Sequence, residues 1–209
     1  MKKRILILLP VWGIIIFTFL YFIASLLYQG GSQVDENAIG FSWINNYWCD
    51  LLSQKTYNGQ LNPGRPFAMI GMLLVCLALA HFWYIFPNYV NFSRTGKLLV
   101  QISGMMSMLI ALFISTQYHD IVIYAASFLG LVALIGTFVG LIKLKWYFLF
   151  WFGVFNLIIL LVDHYIYYTR EFIAYLPIIQ KINFAALLIW FCLISINLYT
   201  VVELRNMPD

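Results

Sequence analysis

Six polar side chains in an otherwise oily chain are of types that could do chemistry together. Gln117, His119 and Asp120 stand close in sequence, Asp163 and His164 are neighbours, and Asp50 falls in a polar stretch. Imidazole and carboxylate are zinc ligands, and a zinc ion with an open position lowers the pKa of a bound water towards neutrality. Without a metal, a carboxylate that orients an imidazole makes a general base. Either device, built from His119, Asp120, Asp163 and His164, would suit hydrolysis of a lipid or lipid-linked substrate, with zinc as the cofactor of the first. A non-catalytic use of Asp50, Gln117, His119, Asp163, His164 and Arg170 is to hold a lipid headgroup or another ligand. The plainer alternative is that Asp120 and Asp163 sit in headgroup water, cap helices, or pair with Arg170 or Lys181. His-Asp and Asp-His dipeptides carry no motif specificity. The sequence has no GxSxG, HExxH, Walker A or GxGxxG pattern.

The elements that must position these groups are membrane helices. Of 209 residues, 63% are hydrophobic and 10% charged. Soluble domains run near 45–50% apolar and about 25% charged. A chain of this size cannot bury so much apolar surface behind so few charges. Soluble, disordered and collagen-like classes are excluded. So is nucleic-acid binding, because the net charge of +4 is not gathered into a basic cluster. Six apolar segments reach or approach the length that crosses hydrocarbon: residues 5–27, 67–86, 98–117, 121–142, 146–162 and 184–202. The fifth is the shortest, and Tyr165 to Tyr168 extend it. The expectation is a single all-α domain, a polytopic six-span bundle. Lys2-Lys3-Arg4 precedes the first span, which continues to Leu27 without a small-residue cleavage site. It therefore reads as an uncleaved anchor.

Lysine and arginine placement orients the bundle. The side with both termini carries Lys2, Lys3, Arg4, Arg94, Lys97, Lys143, Lys145 and Arg205; the other carries Lys55, Arg65, Arg170 and Lys181. Both termini are thus expected in the cytoplasm, as in a bacterial inner-membrane protein. Asp35, Glu36, Asp50, Asp120, Asp163 and Glu171 then lie outside, and Glu203 and Asp209 inside. Trp83, Tyr84, Trp146, Tyr147 and Tyr199 fit an inner aromatic belt, and Tyr118, Tyr124, Tyr165, Tyr167 and Tyr168 an outer one. Cys49, Cys76 and Cys192 form no CxxC pair and define neither a disulfide framework nor a zinc knuckle.

Small residues mark helix contacts, because lipid gives helices no hydrophobic reason to associate. Ser103, Ser107, Ala111 and Ser115 recur four apart in the third span. Ala126, Gly130, Ala133, Thr137 and Gly140 form a seam in the fourth, predicting a tight antiparallel hairpin. His81, Gln101, Asn156 and Asn197 lie at membrane depth, where they hydrogen-bond between helices or line a solute path. No span has an acid near its middle or a central Gly-Pro break, which counts against a small-solute transporter. The long outer loop, residues 28–66, opens Gln-Gly-Gly-Ser and closes Asn62-Pro63-Gly64-Arg65-Pro66. Inside it Ile44, Tyr47, Trp48, Leu51 and Leu52 recur at helical spacing, opposite Asn45, Asn46, Cys49, Asp50 and Ser53. This predicts a short amphipathic helix lying on the outer interface as a lid.

The segment Ile44-Asn45-Asn46-Tyr47-Trp48-Cys49-Asp50-Leu51-Leu52-Ser53, followed by Asn62-Pro63-Gly64-Arg65-Pro66-Phe67, resembles the bacterial six-span family called domain of unknown function 998. Gly104 followed by His119 adds to the likeness, as does Leu176-Pro177-Ile-Ile-Gln180-Lys181 before a Trp190-containing last span. The resemblance covers nearly the whole chain, and Trp48-Cys49-Asp50 stands where a more Ser-rich version is usual. It implies the six-span architecture, gives weight to Asp50 and His119, and implies no reaction. A second resemblance is to alkaline-ceramidase-like hydrolases, seven-span enzymes with Ser, Asp and three His around zinc. Here six spans are expected, and His81 lies towards the opposite side from His119 and His164. The function expected is binding of membrane lipids or a membrane-protein partner through the outer face, with the hydrolase as the alternative.

Overall fold

The computed structural model describes residues 5–204, apart from the side chain of His119. Lys2, Lys3, Arg4, Arg205 and Asp209, used above to weigh the two sides, lie outside the described residues. The fold is all-helical, with no strand among the described residues. Its helices are α1 (Leu9–Leu27), α2 (Arg65–Ile85), α3 (Arg94–Ala111), α4 (His119–Lys143), α5 (Tyr147–Thr169) and α6 (Leu176–Leu204).

Among the described residues, five segments are long and apolar enough to cross a membrane: Leu6–Leu27, Arg65–Tyr89, Asp120–Lys143, Tyr147–Thr169 and Ile173–Leu204. They fit a helical membrane bundle. The exception is α3, whose 18 residues include Arg94, Lys97, Gln101, Ser103 and Ser107. Large apolar side chains stand exposed, among them Leu26, Phe128, Phe148, Trp151 and Leu161. Water would not tolerate such a surface, whereas acyl chains would.

Two expected boundaries move and one holds. The third helix stops at Ala111, and turns fill residues 112–118, so Ser115 leaves the small-residue stripe and His119 and Asp120 open α4. The fifth helix takes in Tyr165–Tyr168 as expected. The last helix begins at Leu176 rather than 184. Pro177 sits in its first turn, where a missing N–H has no intrahelical partner to lose.

The described residues form two compact units. The first comprises residues 5–15, 73–153 and 189–204 and contains the α3–α4 hairpin. The Ser107 hydroxyl donates to the Ala126 carbonyl at 2.7 Å. A Cβ on Gly130 would lie 3.0 Å from that same hydroxyl, and one on Gly136 would collide with Val100. The small seams therefore permit the close antiparallel approach expected of them. Gln101 donates to the Tyr84 carbonyl at 2.7 Å and His81 Nε2 meets the Leu6 carbonyl at 2.9 Å, so both bond beyond their own helix. Trp83 corrects the belt assignment. It is buried against Gly104, and its indole donates to Thr137 Oγ1 at 3.2 Å. Trp190 is fully buried and donates to the Leu149 carbonyl at 2.6 Å.

The second unit comprises residues 16–72 and 154–188. Its apolar centre is aromatic. The Trp48 ring lies 5.1 Å from Tyr21, 5.4 Å from Phe184 and 5.7 Å from Phe17, centroid to centroid. Gly64 lets the chain approach the Ala24 carbonyl closely enough to leave no room for a side chain. Within this unit the long loop is folded rather than slack.

Candidate functional site

The expected amphipathic helix is replaced by a five-residue 3-10 turn, Trp48–Leu52. Its facing holds in part: Leu51 and Leu52 are buried and Trp48 packs inward as expected, but Ile44 is 61% exposed, and Asn46 and Asp50, expected on the polar face, are buried. The cause is the loop's own backbone. Its amides and carbonyls need partners away from water, and these two polar side chains supply them.

Asn46 uses both ends of its amide. Its Oδ1 accepts from the Ser42 N–H at 2.9 Å, and its Nδ2 donates to the Gly31 carbonyl at 2.9 Å and to Asp50 Oδ2 at 3.1 Å. The same Asp50 oxygen accepts the Tyr47 N–H at 2.8 Å, which caps the turn. Gly31 has φ +80°, and a Cβ there would stand 2.7 Å from the Asn58 nitrogen. Only glycine presents that carbonyl without strain.

Two residues of α6 clasp the loop. The Lys181 ammonium donates to the Asn46 carbonyl and, at 2.8 Å, to the Pro177 carbonyl, and it lies 5.9 Å from the Phe41 ring centre. Gln180 Oε1 accepts the Trp48 N–H at 3.2 Å. The Trp48 indole nitrogen is buried with no hydrogen-bond partner among the described residues.

Burial governs the electrostatics. It pushes the Asp50 carboxyl up from 3.8, while Asn46, the Tyr47 N–H and the Lys181 charge pull it back. The Cys49 thiol is pushed up to about 12, by burial first and by Asp50 second. Tyr28 and Tyr57 rise to about 12 for the same two reasons. These thiol and phenol groups are protonated and unreactive at neutral pH.

The residues singled out in sequence separate. Burial raises the Tyr47 phenol, which also responds to Asp50, Cys49, Arg170 and Asp163, so three sequence candidates come within electrostatic reach of one ring. Asp163 Oδ1 is buried with no hydrogen-bond partner among the described residues. His164 is exposed, and its Nδ1 meets the Leu160 carbonyl of its own helix at 2.9 Å. The Arg170 guanidinium lies over Tyr167 at 5.2 Å. Gln117 and Asp120 belong to the first unit. Gln117 shares a shallow groove with Phe113, Thr116, Tyr118 and Val122, and Asp120 occupies the first turn of α4, where the helix dipole favours an acid. The His119 side chain lies outside the description. Among the described residues, no three His, Cys, Asp or Glu side chains are grouped to hold a metal ion.

A second shallow groove, of about 600 Å³, was not anticipated from sequence. Gln29, Gln54, Gln60, Leu61, Asn62, Pro63, Arg65 and Pro66 line it. The Lys55–Leu61 bridge and the Thr56 N–H to Gln60 carbonyl bond, 2.9 Å, fold its wall. Asn62 spends its whole amide on the loop, donating to the carbonyls of Leu51 and Ser53 and accepting from the Gly64 N–H. Arg65 Nε donates to the Leu52 carbonyl at 3.0 Å. The Asn62-Pro63-Gly64-Arg65-Pro66 turn signal was the available hint.

Compared with known protein families, with characterised proteins and with solved structures, the chain matches none.

Proposed function

We propose that this chain is a six-span inner-membrane protein, with both termini cytoplasmic, that binds a lipid or a membrane-protein partner through its outer face. One observation carries the reading. The loop of residues 28–64 is not slack but built around the buried Asn46–Asp50–Lys181 network, and it holds an open groove on its surface. A connection that needs only to join two helices has no use for such ordering; a recognition surface does. Placing α3 as the sixth span supports the even count, because its polar residues Gln101 and Ser107 are spent on the carbonyls of Tyr84 and Ala126. Photo-crosslinking groups at Ile39 and Leu61, 99% and 68% exposed, test the reading in cells. Lipid or protein adducts at these loop positions are expected. Adducts only from cytoplasmic positions would overturn it.

The hydrolase is the second reading, and the unpartnered Asp163 Oδ1 on the helix of His164 is what favours it. Zinc bound one per chain, and lost in a His164→Ala variant, would establish that reading over the first.

A further inference from the structure

We propose that the groove beside Arg65 binds the phosphodiester headgroup of an anionic phospholipid. This rests on the outer-face binding reading and names its ligand class. Arg65 is the one charged residue of the groove lining; the rest are Gln29, Gln54, Gln60, Leu61, Asn62 and the two prolines. Its Nε is fixed by the Leu52 carbonyl, which orients the guanidinium plane. Its two terminal nitrogens have no hydrogen-bond partner among the described residues. A planar, oriented guanidinium with paired free N–H groups is suited to a phosphate bound through two oxygens. The glutamine amides add neutral donors for ester and glycerol oxygens. No carboxylate lines the groove to hold a choline or ethanolamine cation, so a net-negative headgroup is favoured over a zwitterionic one. Depth points the same way. Arg65 opens the apolar segment Arg65–Tyr89, so the groove stands where the hydrocarbon ends and phosphates begin. Leu61, 68% exposed, offers an apolar contact beside the glycerol. The wall is already folded, so binding orders little chain.

The test uses the full-length protein reconstituted in phosphatidylcholine nanodiscs with or without phosphatidylglycerol, and native mass spectrometry to count retained lipids. The wild type is expected to retain phosphatidylglycerol selectively. Arg65→Gln should lower retention about tenfold and Arg65→Lys less. Because Arg65 also holds the Leu52 carbonyl, a second variant guards against misfolding. Gln60 hydrogen-bonds through its backbone, so Gln60→Glu should keep the fold while repelling the phosphate, again lowering retention several-fold. Retention equal to wild type in both Arg65→Gln and Gln60→Glu overturns the groove and leaves outer-face binding standing. Displacement by soluble glycerol 3-phosphate at equal concentration overturns the lipid as the source. No lipid retained by the wild type, with no crosslink from Ile39 or Leu61, overturns both.

Discussion

Cys49 supplies an internal reporter for the loop. Its thiol stands at about 12 in the folded loop, against an ordinary 9.0. Opening the loop restores the ordinary value and raises the thiolate fraction about a thousandfold at neutral pH, so labelling proceeds through the open form. Asn46→Ala is the perturbation. It deletes three hydrogen bonds, leaving the Ser42 N–H and the Gly31 carbonyl without the Asn46 amide and Asp50 Oδ2 with only the Tyr47 N–H. Each stranded group costs about 1–3 kcal/mol. Water admitted by the smaller side chain offsets part of this, and about 3 kcal/mol remains. That is roughly a hundredfold rise in the open population. The assay is maleimide labelling at fixed pH in a Cys76→Ala, Cys192→Ala background, which leaves Cys49 as the single thiol. The Asn46→Ala rate should rise about a hundredfold over its parent. Ile44→Ala, on an exposed neighbour, should leave it unchanged. A rate for Asn46→Ala within about threefold of its parent would refute the argument that buried hydrogen bonds hold the loop shut.

Stability should also depend on pH through Asp50. Its folded value is raised, so the folded loop binds the proton more tightly than the open one. The stability this confers is full below about 3.8 and is lost as pH rises through the raised folded value; Asp50→Asn should flatten that slope in thermal melts. In the α3–α4 hairpin, Gly136→Ala forces a methyl into Val100 and should cost about 1–3 kcal/mol in a detergent melt; an unchanged melting temperature would deny the close approach. Ser107→Ala removes one hydrogen bond at membrane depth and should cost about 0.6 kcal/mol, clearly less than Gly136→Ala. For topology, the raised Cys49 thiol is a poor label in the wild type; Ile39→Cys, 99% exposed, is the better site. It should react with an impermeant reagent only from outside the cell and Lys97→Cys only from inside, and the reverse pattern would invert the orientation.

The helices were legible because membrane spans are written as long apolar runs, and little else produces them. Their ends were less so. Leu112, Phe113 and Ile114 sustain the hydropathy of the third span past Ala111, although the backbone has already entered turns. Hydropathy reports what a segment tolerates around it, not whether its backbone stays helical. The start of α6 failed in the opposite way. Gln180 and Lys181 interrupt the apolar run, yet they are helical because both reach back to the long loop. The amphipathic reading of residues 41–53 placed Trp48, Leu51 and Leu52 correctly and Asn46 and Asp50 wrongly. It assumed that polar faces meet water. Beside a bilayer, unpaired loop backbone is an alternative destination for polar side chains, and Asn46 and Asp50 take it.

The burial of these polar groups changes what the charges of the loop and α6 mean. Lys181 was one of four basic residues placed opposite the termini, yet it is buried and held by two carbonyls, so it does not act as a surface topology signal. Asp50 is likewise withdrawn from solution, bonded to Asn46 and Tyr47. Arg170 rests on Tyr167. Among the charges first considered for chemistry or pairing, most are thereby engaged with the protein itself. Arg65 differs. Its Nε is anchored and its outer nitrogens are not, in a groove with no acid to neutralise them. An arginine that opens an apolar segment lies within reach of headgroup phosphates. That placement, more than the His-Asp dipeptides, is why the ligand is sought beside Arg65.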